Sequence, residues 1–139
     1  MTQLDTYLFF DGTCAEAMRF YQEALGGKIE GIMKYGDGPQ PCPEAAKDRV
    51  MHASLLVGDR RLMASDTHVP CSEGNKGFAV AYNLATREDA QRVFAALAAG
   101  GKVTVPLEKT FWTEAFGMLT DRFGIPWMIG VTSDANCVQ

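Results

Sequence analysis

A chain of 139 residues with a formal net charge of −4 is long enough for one domain that buries roughly two thirds of its unfolded surface, with no metal or disulfide required as a staple. The acidic balance and the absence of any Lys/Arg run exclude nucleic acid and anionic membrane surfaces as expected partners, because both need concentrated basic charge. Cys14, Cys42, Cys71 and Cys137 form no C-x-x-C pair, the N-terminus has no basic start, and nowhere do 18 apolar residues run together. The expectation is a cytoplasmic protein with reduced thiols.

Thr6 to Phe10 reads as a buried strand and Asp11-Gly12 as a turn. Thr13-Cys14-Ala15-Glu16 has the form of a capping box, and Cys14, Met18, Tyr21 and Leu25 follow at helical spacing until Gly26-Gly27. Lys28 to Tyr35 is a strand, and Gly36 to about Asp48, rich in Gly, Pro and charge, is a loop of the length used for lids. Val50 to Val57 and Arg61 to Asp66 are strands joined through Gly58-Asp59, and a second loop spans Thr67 to Lys76. The pattern then restarts. Phe78 to Leu84 is a strand, Thr86 to Asp89 a second cap, and Ala90, Val93, Phe94 and Leu97 an apolar helical face that ends at Gly100-Gly101.

Val103 to Leu107, Phe116 to Asp121 and Pro126 to Val131 complete the second half. In the hairpin, Phe116, Met118 and Thr120 share one strand face, Asp121 caps the turn, and Trp127, Ile129 and Val131 share one face of the last strand. Trp127 and Ile129 should therefore lie under a helix and Met128 on the opposite side. Both helices close on the tripeptide G-G-K, each followed by a strand. The repetition implies an internal duplication within a single domain: an α+β fold of two βαβββ modules, about 1–70 and 76–135, with the sheet faces left open by the helices curving around a shared cleft.

The segments A-E-A-M-R-F-Y-Q-E-A-L-G-G, H-A-S-L-L-V-G-D, L-M-A-S-D and F-W-T-E-A-F-G-M-L-T-D-R-F-G-I-P-W-M-I, in that order, resemble the PhnB-like branch of the vicinal oxygen chelate superfamily. That superfamily includes glyoxalase I, extradiol dioxygenases and bleomycin-resistance proteins, and the branch is also labelled a 3-demethylubiquinone methyltransferase domain. The resemblance covers nearly the whole chain. It implies a divalent metal held by His, Glu or Gln from four strands, at positions that here hold Thr6, a residue near Met63 to Ser65, one near Ala79 to Ala81, and Met128. None offers an imidazole or a carboxylate, and a thioether or hydroxyl is a poor substitute for the ions concerned. The expectation is therefore no metal at the usual site and no cofactor.

On β periodicity Thr6, Leu8 and Phe10 are expected to face the cleft and Tyr7 and Phe9 the core. His52 is read either as a structural residue or as a pocket hydrogen-bonder or general base. His68 reads as loop. Ser65 and Asp66 either start a turn or orient a ligand. Trp112 and Glu114 are read either as ordinary packing or as a pocket rim, an aromatic platform beside a carboxylate being apt for a cationic or planar ligand, and Phe116 and Met128 are further ligand-binding candidates. No G-x-S-x-G supports a serine hydrolase.

Three function classes follow. A metal-free protein that binds a small molecule in the cleft accommodates the missing ligands. A lyase, isomerase or dioxygenase would need a metal at displaced positions, such as His52 with Asp66 or Glu114. A methyltransferase would need a glycine-rich turn between a strand and a helix, whereas Gly26-Gly27 and Gly100-Gly101 end helices. The resemblance also implies a homodimer.

Overall fold

The computed structural model describes residues 3–38, 41–67 and 77–132. The chain divides into two compact units, Met1–Glu73 and Gly74–Gln139. The first unit runs β1 (Thr6–Phe10), α1 (Cys14–Leu25), β2 (Lys28–Lys34), β3 (Val50–Val57) and β4 (Arg60–Asp66); the second runs β5 (Val80–Leu84), α2 (Arg87–Ala98), β6 (Lys102–Glu108), β7 (Phe116–Thr120) and β8 (Pro126–Val131). The sheets repeat one topology, with strand orders β1-β4-β3-β2 and β5-β8-β7-β6. In each, the first strand runs parallel to the last, and the other pairs are antiparallel. The expected α+β fold of two βαβββ modules is what forms. No described helix is long and apolar enough to cross a membrane.

The repeated glycine pairs have one physical cause. Gly26 and Gly100 adopt φ of 76° and 77°, the left-handed conformation that lets a chain leave a helix without a Cβ clash. Gly27 and Gly101 instead lie flat against a neighbouring strand: a Cβ on Gly27 would stand 2.6 Å from the Leu56 carbonyl oxygen, and one on Gly101 would run into that of Thr120. The tripeptide therefore ends each helix and permits close approach of the next strand.

Each helix covers one sheet face. Cys14, Ala17, Met18 and Tyr21 of α1 are fully buried, as are Ala90, Val93 and Leu97 of α2. Trp127 and Ile129 join the second core, as the alternation in β8 predicts, and Phe94 of α2 lies so close to Gly117 that a Cβ there would stand 2.8 Å from its ring. Burying a ring the size of Tyr21 or Trp127 contributes roughly 2–3 kcal/mol or more to its unit.

Two local expectations fail. The first concerns the face of β1. Leu8 and Phe10 are 3% and 4% exposed, with Phe10 packed 6.5 Å from the Tyr21 ring of α1, whereas Tyr7 and Phe9 are exposed. The strand is turned one residue from the sequence reading, which exchanges its faces. The second concerns the start of α1. The Thr13 side chain makes no capping bond. The Asp66 carboxylate arrives from β4 instead, and its Oδ1 accepts from the backbone N–H groups of Gly12 (2.8 Å) and Cys14 (3.0 Å). At α2 the expected cap does form, Thr86 Oγ1 accepting from the Asp89 amide at 3.1 Å.

The segment read as a lid is tied to its own unit. Backbone bonds join Tyr35 to Arg49 and Gly36 to Lys47, short 3-10 turns occupy Tyr35–Asp37 and Glu44–Ala46, and Ala46 is buried.

Candidate functional site

In the second unit the sheet face away from α2 carries a pocket of about 310 Å3, formed wholly by residues of that unit. Register builds its floor. Asn83 of β5 is opposite Gly130 of β8, which is opposite Phe116 of β7, so one row across three strands has side chains at its ends and none in the middle. Met128 lies in the next row, between Ala81 and Met118. Trp112 forms the wall above, its ring 5.6 Å from that of Phe116 and inclined at 61°.

The loop carrying Trp112 is held by side chain to backbone bonds. Thr110 Oγ1 accepts from the amides of Trp112 (3.3 Å) and Thr113 (3.2 Å), and Thr113 Oγ1 donates to the Val131 carbonyl at 2.9 Å. Phe111 stacks edge-on against Trp112 with centroids 4.8 Å apart and is almost fully exposed. The aromatic rim is thereby fixed to β8.

Of the residues singled out from sequence, Trp112, Phe116 and Met128 come together here. Glu114 is exposed and does not line the pocket, and no ionisable side chain does so among the described residues. The rim is an aromatic platform without the carboxylate that would favour a cation. Asn83 was not anticipated. The signal available in sequence was the alternation of β5 with Leu84, but pairing Asn83 with a glycine needs the register.

In the first unit the face away from α1 carries Tyr7, Phe9, His52 and Ser54. Tyr7 and His52 are joined by a 3.0 Å hydrogen bond between the phenol oxygen and Nδ1, with ring centroids 5.7 Å apart. Beside them Glu30, Met33, His52 and Ser54 line a shallow hollow of about 330 Å3. Glu30 accepts from Arg61 Nε at 2.8 Å and Ser54 Oγ at 3.1 Å, and the Arg61 guanidinium holds its carboxyl below the usual carboxylate range.

Three candidates from sequence, Thr6, Phe10 and Asp66, lie off this face. Thr6 and Phe10 share the α1 side of β1, and Phe10 is core. Asp66 is 2% exposed, and its two oxygens accept three backbone N–H groups, the third from Val50 at 2.9 Å. It is a structural anchor, and the pairing of His52 with Asp66 in a displaced metal site does not form, because the two side chains leave opposite faces of the sheet. A fourth candidate, Ser65, is opposite Phe9 on the open face and is buried there. His68 lies outside the described residues. Among those described, no three His, Cys, Asp or Glu side chains converge as a metal site would need.

The family model named Glyoxalase/Bleomycin resistance protein/Dioxygenase superfamily matches residues 3–129. The chain belongs to this superfamily. Within it the chain is 31% identical over 138 residues to Protein YjdN of Escherichia coli K12, covering 92% of this chain and 94% of that one. The crystal structure of PA1353 from Pseudomonas aeruginosa superposes with a TM-score of 0.88 at 46% identity, covering 96% of this chain and all of that one. A PhnB protein from Bacillus cereus, provisionally named a 3-demethylubiquinone-9 3-methyltransferase, gives 0.80 at 26% identity, covering 94% and 100%. The superfamily fold accounts for the duplicated βαβββ units, and the PhnB-like resemblance for the four motifs.

Proposed function

We propose that this superfamily member binds a small molecule on the open sheet face of its second unit, without a metal at the positions its relatives' fold makes available. The observation that carries the reading is the meeting of Trp112, Phe116 and Met128 around one pocket of about 310 Å3, a size suited to a small ligand. Exposed aromatic rings fixed over a glycine floor are apolar surface that a ligand can remove from water. On the uncovered faces, the strands that would supply metal ligands present Tyr7, Met63, Ala81 and Met128, none of them an imidazole or carboxylate.

The methyltransferase name of the B. cereus relative finds no matching feature here. Gly26 and Gly100 leave helix C-termini, whereas a nucleotide-type methyl donor is cradled at a helix N-terminus after a strand. Pairing of two chains belongs to the same proposal, and sedimentation at micromolar concentration tests it, a monomer overturning it.

The binding test is a ligand-observed NMR screen of neutral aromatic fragments against the protein and its Trp112→Ala variant, beside calorimetric titration with nickel, zinc, manganese and iron(II). Fragment binding that weakens at least threefold in the variant, with no stoichiometric metal uptake, is the expected result. Tight metal binding abolished by His52→Ala would overturn the metal-free reading, and fragments indifferent to Trp112 would overturn the pocket.

A further inference from the structure

The polar groups around this pocket are almost all spoken for. Thr113 Oγ1 donates to the carbonyl of Val131, with that of Ala115 as the alternative acceptor of its one hydrogen, and Thr132 Oγ1 to that of Leu84. Among the hydroxyl and carboxamide side chains of the lining, Asn83 is the one whose donors go to no described protein acceptor. Its position depends on Gly130. A Cβ on Gly130 would stand 2.7 Å from Asn83 Oδ1, and the next nearest group, the Ala115 carbonyl oxygen, is 3.6 Å away. The missing side chain at 130 therefore gives the carboxamide its place over the sheet, at the end of the row that Phe116 closes on the other side.

Resting on the reading of this pocket as the ligand site, we infer that Asn83 is its recognition residue and that the ligand is an uncharged planar molecule with an amide-type edge. A carboxamide presents a donor and an acceptor side by side, which is the complement of an adjacent N–H and C=O in an amide, lactam or imide. The flanking rings of Trp112 and Phe116 favour a flat body. A charged ligand would lose hydration without gaining a counter-charge, since no described lining residue ionises.

The test uses three probes that share one ring: benzamide, benzoate and toluene, titrated into 15N-labelled protein and followed at the Trp112 indole and Gly130 amide signals. Benzamide is expected to bind at least tenfold more tightly than benzoate. Asn83→Ala should weaken benzamide about threefold to tenfold, the range of one or two neutral hydrogen bonds, and leave toluene unchanged. Gly130→Ala should also weaken benzamide, because the added methyl displaces the movable end of Asn83, and the unchanged toluene affinity of Asn83→Ala certifies that this variant keeps its pocket. Benzamide indifferent to both variants, or benzoate binding as tightly as benzamide, overturns the role of Asn83 while the pocket stands. Failure of all three probes to bind overturns the pocket reading and this inference with it.

Discussion

The indole N–H of Trp127 donates to Asp121 Oδ2 at 2.9 Å, both residues being almost wholly buried, while Oδ1 of the same carboxylate accepts from the amides of Phe123 (2.8 Å) and Ile125 (3.1 Å). One charge thus fixes the β7–β8 turn and orients the largest side chain of the second core. Its removal leaves three donors without that acceptor. Asp121→Ala should cost about 3 kcal/mol or more, and Trp127→Phe about 2–3 kcal/mol from the lost charged hydrogen bond and the smaller ring. Urea unfolding followed by circular dichroism measures both, and a cost below about 1 kcal/mol for Asp121→Ala would show that water replaces the carboxylate.

Asp66 plays the corresponding part in the first unit from a different place in the topology, joining the β1–α1 turn to the start of β3. Asp66→Asn keeps the size but sets an N–H2 group against at least one backbone donor. The expected loss is about 2–4 kcal/mol. Amide hydrogen exchange should show the fastest gain at Gly12, Cys14 and Val50; uniform exchange across the unit would contradict a local anchor.

Cys14 is fully buried near this carboxylate, and burial first, then the Asp66 charge, pushes its thiol up to about 12 from an ordinary 9.0. Because the folded value is the higher, its stabilising contribution is complete below pH 9 and is lost as pH rises from there to about 12, where the unfolded thiol ionises and the folded one does not. Stability should fall across that window about 1.4 kcal/mol per pH unit more steeply than in Cys14→Ala. Equal slopes in the two proteins would refute the assignment. At pH 8 native Cys14 should resist iodoacetamide and react after unfolding, as peptide mass spectrometry would show.

The second glycine of each pair should be the less replaceable. Gly101→Ala drives a methyl into backbone atoms of Thr120 and Asp121, and Gly27→Ala into the Leu56 carbonyl, so each strand must move. A cost of about 2–4 kcal/mol is expected for each, against about 1 kcal/mol for Gly26→Ala, where nothing lies within 4 Å and the left-handed φ is the penalty. Thermal melts of the three variants check the order, and a reversed order would overturn the close-approach account.

Local chemistry made much of this protein legible. Helical spacing delimited α1, the Asp121 turn and the alternation of β8 placed Trp127 inside and Met128 outside, and the glycine pairs exposed the duplication, because each depends on residues a few positions apart. The tertiary structure decided the rest. Both sides of β1 are apolar, so only the docking of α1 determines that Phe10 goes in and Tyr7 comes out. The cap on α1 comes from Asp66 rather than Thr13 because a carboxylate 52 residues from Cys14 is brought to the helix start by parallel pairing of β1 with β4. Asn83 becomes a pocket residue only through its register with Gly130, since a gap in a surface is made by neighbours across strands and has no period along the chain.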